Sequence, residues 1–264
     1  MPHSVKVIIP VYTTRLNRFE ALTLQNNYQK LQNHPIVLIA PEGLDLSNLL
    51  NLYPRCQVET FSPDYFNSIS SYNRLMMSEE FYRRFSDVDY ILICQTDAYI
   101  FRDELAEWCE KGYDYVGAPW LVRPIYKFPL FVFTSWLKRT YCSWFNRPNS
   151  QITNFKVGNG GLSLRKVSSH LRVTTSMNAI IREYLQHPGN HIFNEDVFFS
   201  VEVNRHGMGF RYPDYMEALQ FSFDKYPALC YRLNHEQLPF GCHSWYKRKM
   251  KKFWFPIILR ESRS

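Results

Sequence analysis

The sequence predicts a single-domain α/β fold with a mixed, mostly parallel sheet flanked by helices, and three observations lead to this prediction. Apolar strand-like segments alternate with helix-like segments through the first hundred residues, which is the βαβ pattern. Residues 90–101 form an apolar run interrupted at a single carboxylate, Asp97, and the lack of polar alternation before it indicates a strand covered on both faces. The chain has 264 residues, 45% of them hydrophobic, which is enough to fill a sizeable core.

The elements of the first half follow from periodicity and boundary residues. Residues 5–12 predict a strand, 18–31 a helix, and 36–40 a second strand closed by a proline. Residues 71–85 predict a helix because their apolar side chains gather on one side at 3.6 residues per turn. This helix leads the chain into the strand that ends at Asp97.

Further elements follow downstream. Asp103 is suited to cap a short helix that ends at Gly112, and residues 113–119 predict the next strand. Residues 121–148 are charged and aromatic without clear periodicity. We therefore expect an insertion there rather than a domain boundary.

Cysteine usage and the apolar segments constrain the compartment. None of the six cysteines forms a C-x-x-C pair, and Cys94 lies in the predicted buried strand, so we expect neither a zinc site nor a disulfide framework. The first residues lack the pattern of a signal peptide, and no segment reaches the roughly 20 consecutive apolar residues that cross a bilayer. We therefore expect a cytoplasmic protein in a reducing compartment.

The chain is basic, with a formal net charge of +7 and a pI near 9.0. Basic residues cluster at 247–252 and are followed by the aromatic run 253–259. Because no nucleic-acid-binding motif accompanies this cluster, we expect an anionic membrane surface, at the inner face of the cell membrane, rather than nucleic acid. The apolar segment 128–137 would be a second anchor. A solvated basic tail is the alternative.

Asp97 is the first candidate functional residue. In a parallel sheet, ligands bind at the carboxyl ends of the strands, where loops and helix starts converge. A carboxylate there without a cationic neighbour in sequence is costly to bury unless something positive pairs with it. We therefore predict a divalent metal that carries a phosphorylated ligand, and the alternative is an aspartate that only caps the loop.

Three further clusters lie downstream, each with a structural alternative. Three glycines within residues 158–161 let backbone approach a ligand closely, although an ordinary hairpin turn has the same composition. An acidic pair after Asn194 opens a predicted helix that ends near Gly207, although acids in a first turn also complement the helix dipole. His243 lies among small residues beside a tryptophan, although a lone histidine is often an ordinary surface or core residue.

The order of these motifs resembles the GT-A class of metal-dependent, nucleotide-sugar glycosyltransferases over nearly the whole chain. Several segments resemble a family of small, little-characterised, mainly bacterial glycosyltransferase-like proteins. These segments are Tyr72-Asn73-Arg74-Leu75-Met76, Gln95-Thr96-Asp97-Ala98, Gly117-Ala118-Pro119-Trp120, Gly158-Asn159-Gly160-Gly161 and residues 239–245. The resemblance implies a GT-A-like, Rossmann-related fold with a nucleotide-binding half at 1–120 and an acceptor and catalytic half at 149–246. The insertion 121–148 and a basic aromatic tail at 247–264 complete this division.

The resemblance also implies the roles of individual residues. Gln95-Thr96-Asp97 takes the D-x-D position, with Gln95 in place of the first acid, and residues 194–196 take the x-E-D position. His243 is the late metal-binding histidine, and with Asp97 it would hold Mn²⁺ or Mg²⁺ against the donor diphosphate. The residues implied for donor binding are Tyr12, Asn73, Arg74, Gln95, Asp97, Asn159, Gly160 and Gly161.

The expected reaction is transfer of a hexose from a nucleotide-sugar donor to a glycan or glycolipid acceptor in surface polysaccharide synthesis. We expect Asp196 to act as general base, with inversion at the anomeric carbon, and Glu195 to bind the donor or acceptor sugar. Tyr12 is placed to stack on a nucleobase, and Trp120 and Trp245 are placed to bracket the acceptor sugar. One alternative is a sugar nucleotidyltransferase, although the segment after the first strand lacks the glycine-rich phosphate loop of that class. The other is a catalytically inactive sugar-binding or scaffold protein.

Overall fold

A six-stranded sheet forms the centre of the computed structural model, which describes residues 3–122, 129–145 and 149–261. In chain order the strands are β1 (Val5–Pro10), β2 (Ile36–Pro41), β3 (Cys56–Phe61), β4 (Tyr90–Cys94), β5 (Ala98–Ile100), β6 (Tyr115–Gly117), β7 (Leu162–Lys166), β8 (Ser222–Phe223) and β9 (Gly241–His243). The large sheet has the order β3-β2-β1-β4-β7-β6. Its first four strands are parallel, β7 pairs antiparallel with β4, and β6 pairs antiparallel with β7. The predicted mixed, mostly parallel sheet is confirmed.

Helices flank this sheet, and the core is divided between its two faces. The helices are α1 (Arg18–Lys30), α2 (Ser47–Leu52), α3 (Ile69–Met76), α4 (Glu79–Arg84), α5 (Leu105–Glu110), α6 (Pro129–Trp144), α7 (Val167–Ser176), α8 (Asn178–Tyr184), α9 (Glu195–Val197), α10 (Val203–Arg205), α11 (Tyr215–Phe221), α12 (Pro227–Leu233) and α13 (Lys251–Glu261). Successive side chains of β1, such as Ile8 and Ile9, enter different hydrophobic clusters because neighbours along a strand point to opposite faces. This two-sided burial explains why the strands are apolar without alternation.

A smaller sheet brings the C-terminal part of the chain beside β4. After β4 the chain makes a short turn and continues as β5, which pairs antiparallel with β9. The register of this pairing places His243 opposite Ala98, and β8 pairs with the other side of β9. Residue 243 is therefore carried next to the acid that follows β4.

The start of α1 has an identifiable side-chain cap. The side chain of Asn17 accepts the backbone N–H groups of Phe19 and Glu20, and Glu20 reaches back to the N–H of Asn17, so α1 begins where predicted. The N-cap residue of α5 is Glu104 rather than the predicted Asp103, although Oδ1 of Asp103 accepts the N–H of Leu105 at 3.4 Å.

Several boundaries differ from the sequence predictions. The predicted helix at 71–85 is two helices, α3 and α4, because the Ser78 hydroxyl accepts the N–H of Phe81 and starts a new helix. The predicted strand at 113–119 is confined to β6, and the apolar run at 90–101 is divided into β4 and β5. The elements α2 and β3 are additional to those predicted.

The insertion expected at 121–148 contains one described helix, α6. Phe128, the first residue of the predicted apolar anchor, lies outside the described residues. Leu130 and Trp144 of α6 are exposed to solvent. None of the helices in the described ranges is long and apolar enough to cross a membrane.

The aromatic run at 253–259 lies in α13 and belongs to the core. Trp254 and Ile258 are fully buried and pack in one cluster with Tyr99 and Phe223. The expectation that this run contacts a membrane is therefore wrong for its buried side chains, because their apolar surface is already covered by the protein.

Trp254→Ala should lower the free energy of unfolding by about 3–5 kcal/mol, because it deletes a fully buried ring and leaves a cavity. The matched control is Trp144→Ala, since Trp144 is 81% exposed and its removal should change stability by no more than about 0.5 kcal/mol. Urea unfolding followed by circular dichroism measures both. Equal losses in the two variants would contradict the placement of α13 in the core.

Candidate functional site

Asp97 lies in the turn between β4 and β5 and faces His243 at the end of β9. The Oδ1 atom of Asp97 is 3.0 Å from Nε2 of His243, and the backbone carbonyl of Asp97 accepts the N–H of Ser244 at 3.0 Å. The antiparallel register of β5 and β9 produces both contacts. Two residues that the sequence resemblance implied as partners are thus brought together by the smaller sheet.

Both carboxylate oxygens of Asp97 have basic partners. Its second oxygen, Oδ2, is 3.2 Å from Nζ of Lys247. Burial alone would raise the pKa of Asp97, but His243 and Lys247 hold this pKa well below its ordinary value. Burial would likewise lower the pKa of His243, but Asp97 and Asp224 raise it to about 9. The cluster therefore combines two carboxylates, Asp97 and Asp224, with two basic groups, His243 and Lys247.

A glycine loop connects this cluster to a second acidic site. Gln95 donates its backbone N–H to the carbonyl of Gly161 at 2.9 Å, and Nδ2 of Asn159 lies 3.1 Å from Nδ1 of His243. A Cβ atom on Gly161 would lie 2.2 Å from Nε2 of His243, and one on Gly160 would lie 1.8 Å from Oε1 of Glu195. Side chains cannot fit at these two positions, so the loop needs glycine for close approach.

Glu195 is held by a buried ion pair. Its Oε2 atom is 3.0 Å from Nη2 of Arg165, and both side chains are almost inaccessible to solvent. Arg165 lies on β7 and also donates to the hydroxyl oxygens of Tyr82 and Ser163, each at 3.0 Å. A buried guanidinium of this kind requires such partners. Arg165 therefore fixes the orientation of Glu195 at the edge of the glycine loop.

Asp196 has a different environment from its neighbour. Burial of its carboxyl group, and then the negative charge of Glu195, raise the pKa of Asp196 to about 7, although the backbone N–H groups of Val197 and Gly160 act in the opposite direction. A carboxyl group with this pKa exchanges protons at neutral pH. This is the property that general acid–base catalysis requires.

The remaining predicted donor residues take up varied positions. Tyr12 follows β1, is 41% exposed, and meets the ring of Tyr72 edge-on at 5.7 Å. Burial of its hydroxyl, and then the charges of Tyr72, Asp97 and Glu195, raise the pKa of Tyr12, so this hydroxyl belongs to the same site. Next to Tyr72 on α3, the Asn73 side chain donates to Oδ1 of Asn194 at 3.0 Å and thereby supports the start of α9.

Two further predicted site residues have different surroundings. Arg74 is exposed and donates to the carbonyl of Asp64 at 3.2 Å, and its donor-binding role stays a prediction. Trp245 is fully buried and donates its indole N–H to Thr23, so it cannot stack on an acceptor.

Trp120 is half-buried and packs on the glycine loop. A Cβ atom on Gly158 would lie 2.0 Å from its ring. This position leaves part of the indole open at the rim of the loop, near Asn159. The acceptor role expected for this tryptophan stays a prediction.

Three residues of the site were missed by sequence reasoning. Lys247 follows His243 by four residues but was included in the basic cluster that was expected to bind a membrane. Arg165 is a charged residue in the strand-like run after the glycines, which was an available signal. Asp224, whose Oδ1 lies 3.3 Å from Nδ1 of His243, carries no local pattern that could have identified it.

Asp97 and His243 are two described residues that could contribute ligands to a divalent cation. Their facing atoms are 3.0 Å apart, which is the distance of a hydrogen-bonded ion pair and also about the distance between adjacent ligands in an octahedral shell. Within the described ranges no group of three or more His, Cys, Asp or Glu side chains is arranged to hold a metal. The rest of the coordination shell would therefore come from phosphate and water.

Arg165→Met should lower the free energy of unfolding by about 3–5 kcal/mol, because it leaves the buried carboxylate of Glu195 without its partner. Adding Glu195→Gln to this variant should recover part of the loss, since the unpaired charge is then removed. Chemical denaturation of the single and double variants measures this.

The matched control for this experiment is Arg83→Met, because Arg83 pairs with Glu79 on an exposed helix surface. Its cost should be at most about 1 kcal/mol. A cost as large as that of Arg165→Met would show that the buried pair has no special role.

Comparison with known proteins places the chain in a family and gives its fold. Residues 55–243 match a family described as "Protein of unknown function (DUF5672)". No curated protein matches the chain. Among solved structures, the chain is similar to the galactosyltransferase LgtC in complex with donor and acceptor sugar analogs, with a TM-score of 0.55 and 11% sequence identity. The match covers 98% of this chain and 95% of that chain. The chain therefore belongs to the DUF5672 family and has the fold of a GT-A glycosyltransferase.

Proposed function

We propose that the protein is a glycosyltransferase that moves a hexose from a nucleotide-sugar donor to a glycan or glycolipid acceptor, with inversion at the anomeric carbon. The observation that carries the proposal is the meeting of two different acidic sites across one glycine loop. One is Asp97 with its two basic partners, and the other is the pair Glu195 and Asp196. They lie beside the carboxyl end of β4, where α/β sheets bind ligands.

The basic groups around Asp97 suit the diphosphate of the donor. When the bond between sugar and diphosphate breaks, negative charge develops on the departing oxygens, and positive charge fixed nearby stabilises it most in the transition state. Lys247 supplies one such charge. The exposed ring of Tyr12, close to Asp97, is placed to stack on the nucleobase.

We assign Asp97 and His243 as ligands of Mn²⁺ or Mg²⁺. Their facing atoms are 3.0 Å apart, close to the distance between adjacent ligands of such a cation. When bound, the cation supplies Lewis-acid stabilisation of the leaving diphosphate. Loading requires His243 to lose a proton. Gln95, in place of an acid, leaves Asp97 as the carboxylate of this motif.

The acceptor hydroxyl must lose its proton as it attacks, and we assign Asp196 as the general base. The proton passes from that hydroxyl to a carboxylate oxygen of Asp196. The pKa of Asp196, about 7, suits both the uptake of this proton and its later release to water. Glu195 is fixed by Arg165 and is therefore assigned to bind a sugar hydroxyl. Five cysteines, Cys56, Cys94, Cys109, Cys230 and Cys242, are buried thiols, which supports the proposed cytoplasmic, reducing compartment. Surface polysaccharide synthesis is the proposed pathway.

A catalytically inactive sugar-binding protein is a second candidate, favoured by Gln95 and by the basic partners on both oxygens of Asp97. Release of nucleoside diphosphate from a panel of UDP-, GDP-, ADP- and dTDP-hexoses, with and without Mn²⁺, distinguishes the two. Turnover of one donor supports the transferase. Saturable donor binding without any release would favour the inactive protein.

Mn²⁺ and the matching nucleoside diphosphate together should raise the melting temperature by more than the sum of their separate effects, because each contributes ligands to the other. Asp97→Ala should abolish this synergy. Differential scanning fluorimetry measures it. The control is Asp64→Ala, which removes an exposed acid outside the site and should leave the synergy intact. Synergy that persists in Asp97→Ala would remove Asp97 from the metal site.

Asp196→Asn should lower kcat by about 10²- to 10⁴-fold with little change in donor affinity, because it removes the proton acceptor and keeps the shape. For the unmodified protein, kcat/KM should rise with pH and level off above a midpoint near 7, since Asp196 accepts a proton only when ionised. Steady-state kinetics across this pH range provide the test. Near-normal turnover in the variant would show that Asp196 is not the general base, and Glu195 would then be the candidate.

The stability of the same variant gives an independent control. The pKa of Asp196 is raised in the folded state, so its contribution to stability is present at low pH and is lost as pH rises through about 7. Asn carries no charge and avoids this loss. Asp196→Asn should therefore melt clearly higher than the unmodified protein at pH 8, by a smaller margin at pH 5, and close to it only below the ordinary aspartate pKa of 3.8.

A further inference from the structure

The proposed reaction leaves one large feature of the molecule unused, the apolar face of α6. Leu130, Phe133, Leu137, Tyr141 and Trp144 recur at intervals of three and four residues, so they form one stripe along the helix. Their exposed fractions are 69%, 56%, 45%, 46% and 81%. Contiguous large apolar side chains in water mark an interaction surface. We call these five residues the α6 stripe.

The charge of the surrounding segment identifies the kind of partner. Residues 121–156 contain six Lys and Arg residues and no Asp or Glu. An anionic bilayer offers a layer of negative headgroups above an apolar layer, and basic amphipathic helices with aromatic residues lie at that boundary. The α6 stripe provides the apolar face, and the acid-free segment provides the positive charge.

The length of α6 excludes a spanning orientation. Its 16 residues extend about 24 Å, whereas the hydrocarbon core of a bilayer is about 30 Å thick. Lys138, an exposed residue, lies in the middle of the helix. The helix therefore fits along a membrane surface rather than across it.

The base of the insertion connects this helix to the candidate site. Trp120 and Lys156 form a backbone hydrogen bond of 2.9 Å, and Phe155 donates to the carbonyl of Trp120 at 3.0 Å. The chain thus leaves and returns at one point, where the Trp120 ring packs on Gly158. The next residue, Asn159, contacts His243. The segment that carries α6 is consequently anchored beside the rim of the site.

We infer that α6 is an interfacial helix that docks on an anionic bilayer and that the acceptor is a membrane-anchored glycolipid presented at the rim beside Trp120. The identity of the acceptor rests on the proposed glycosyltransferase function, whereas the docking does not. The exposed stripe, the acid-free basic segment and its attachment beside the glycine loop together support this assignment.

Co-sedimentation of the full chain with vesicles tests the docking. The protein should bind vesicles of phosphatidylcholine mixed with phosphatidylglycerol, bind poorly to phosphatidylcholine alone, and dissociate as salt rises, because screening weakens the attraction to headgroups. The double variant Leu137→Glu/Trp144→Glu should reduce binding by about tenfold or more, since it places charges in the apolar face. Its melting temperature should stay unchanged because both positions are exposed.

The matched control is Leu52→Glu/Met216→Glu, which adds the same charge at exposed apolar residues outside α6. It should bind vesicles like the unmodified protein. Equal loss in both double variants, or none in either, would overturn the docking. So would light scattering that shows a dimer dissociated by the α6 variant without vesicle binding by the unmodified protein.

Two activity measurements separate the acceptor assignment from the proposed function. Transfer to glycolipid in vesicles should fall in the α6 variant, while nucleoside diphosphate release with a soluble acceptor should be unchanged. Equal transfer to glycolipid by both proteins would overturn the acceptor assignment. Vesicle binding that depends on the stripe, with no donor turned over by any protein, would overturn the proposed function and leave the docking supported.

Discussion

The charge of Asp97 is the constraint on which the arrangement of the site depends. It stands at the end of β4, a strand in which every side chain is buried, and an unpaired carboxylate there would be costly. The partners that balance it come from the far end of the chain, His243 and Lys247. They reach it because β9 pairs with β5. The register of this pairing places His243 opposite Ala98, next to Asp97.

A second constraint is the close contact across the glycine loop. A side chain at Gly160 would overlap Glu195, and one at Gly161 would overlap His243. The backbone of the loop therefore packs directly against both acidic sites. Arg165 fixes Glu195 from below through a fully buried ion pair. The neighbouring carboxyl groups of the pair consequently differ in environment. Glu195 is paired with Arg165, whereas burial and the charge of Glu195 raise the pKa of Asp196 to about 7.

Sequence reasoning predicted what depends on local pattern and missed what depends on tertiary contact. The parallel strands and the capped start of α1 follow from apolar runs and boundary residues, and both were predicted. The break between α3 and α4 was missed because the Ser78 cap lies inside a continuous apolar period. Trp245 was misplaced because adjacency to His243 in sequence does not fix which way a side chain points, and its partner Thr23 is 222 residues away. Arg165 pairs with an acid thirty residues later, a contact that only the folded sheet creates.

The distribution of acidic residues gives the molecule a directional property. Residues 115–182 hold ten Lys and Arg residues and no Asp or Glu, whereas the rest of the chain holds 21 basic and 24 acidic residues. The first segment includes β6 and β7, which form one edge of the large sheet. Positive charge is thus concentrated in the segment that contains this sheet edge, and the rest of the chain has a slight excess of negative charge. An uneven charge distribution gives a molecule an electrostatic preference for one orientation near a charged surface, before any side chain makes contact.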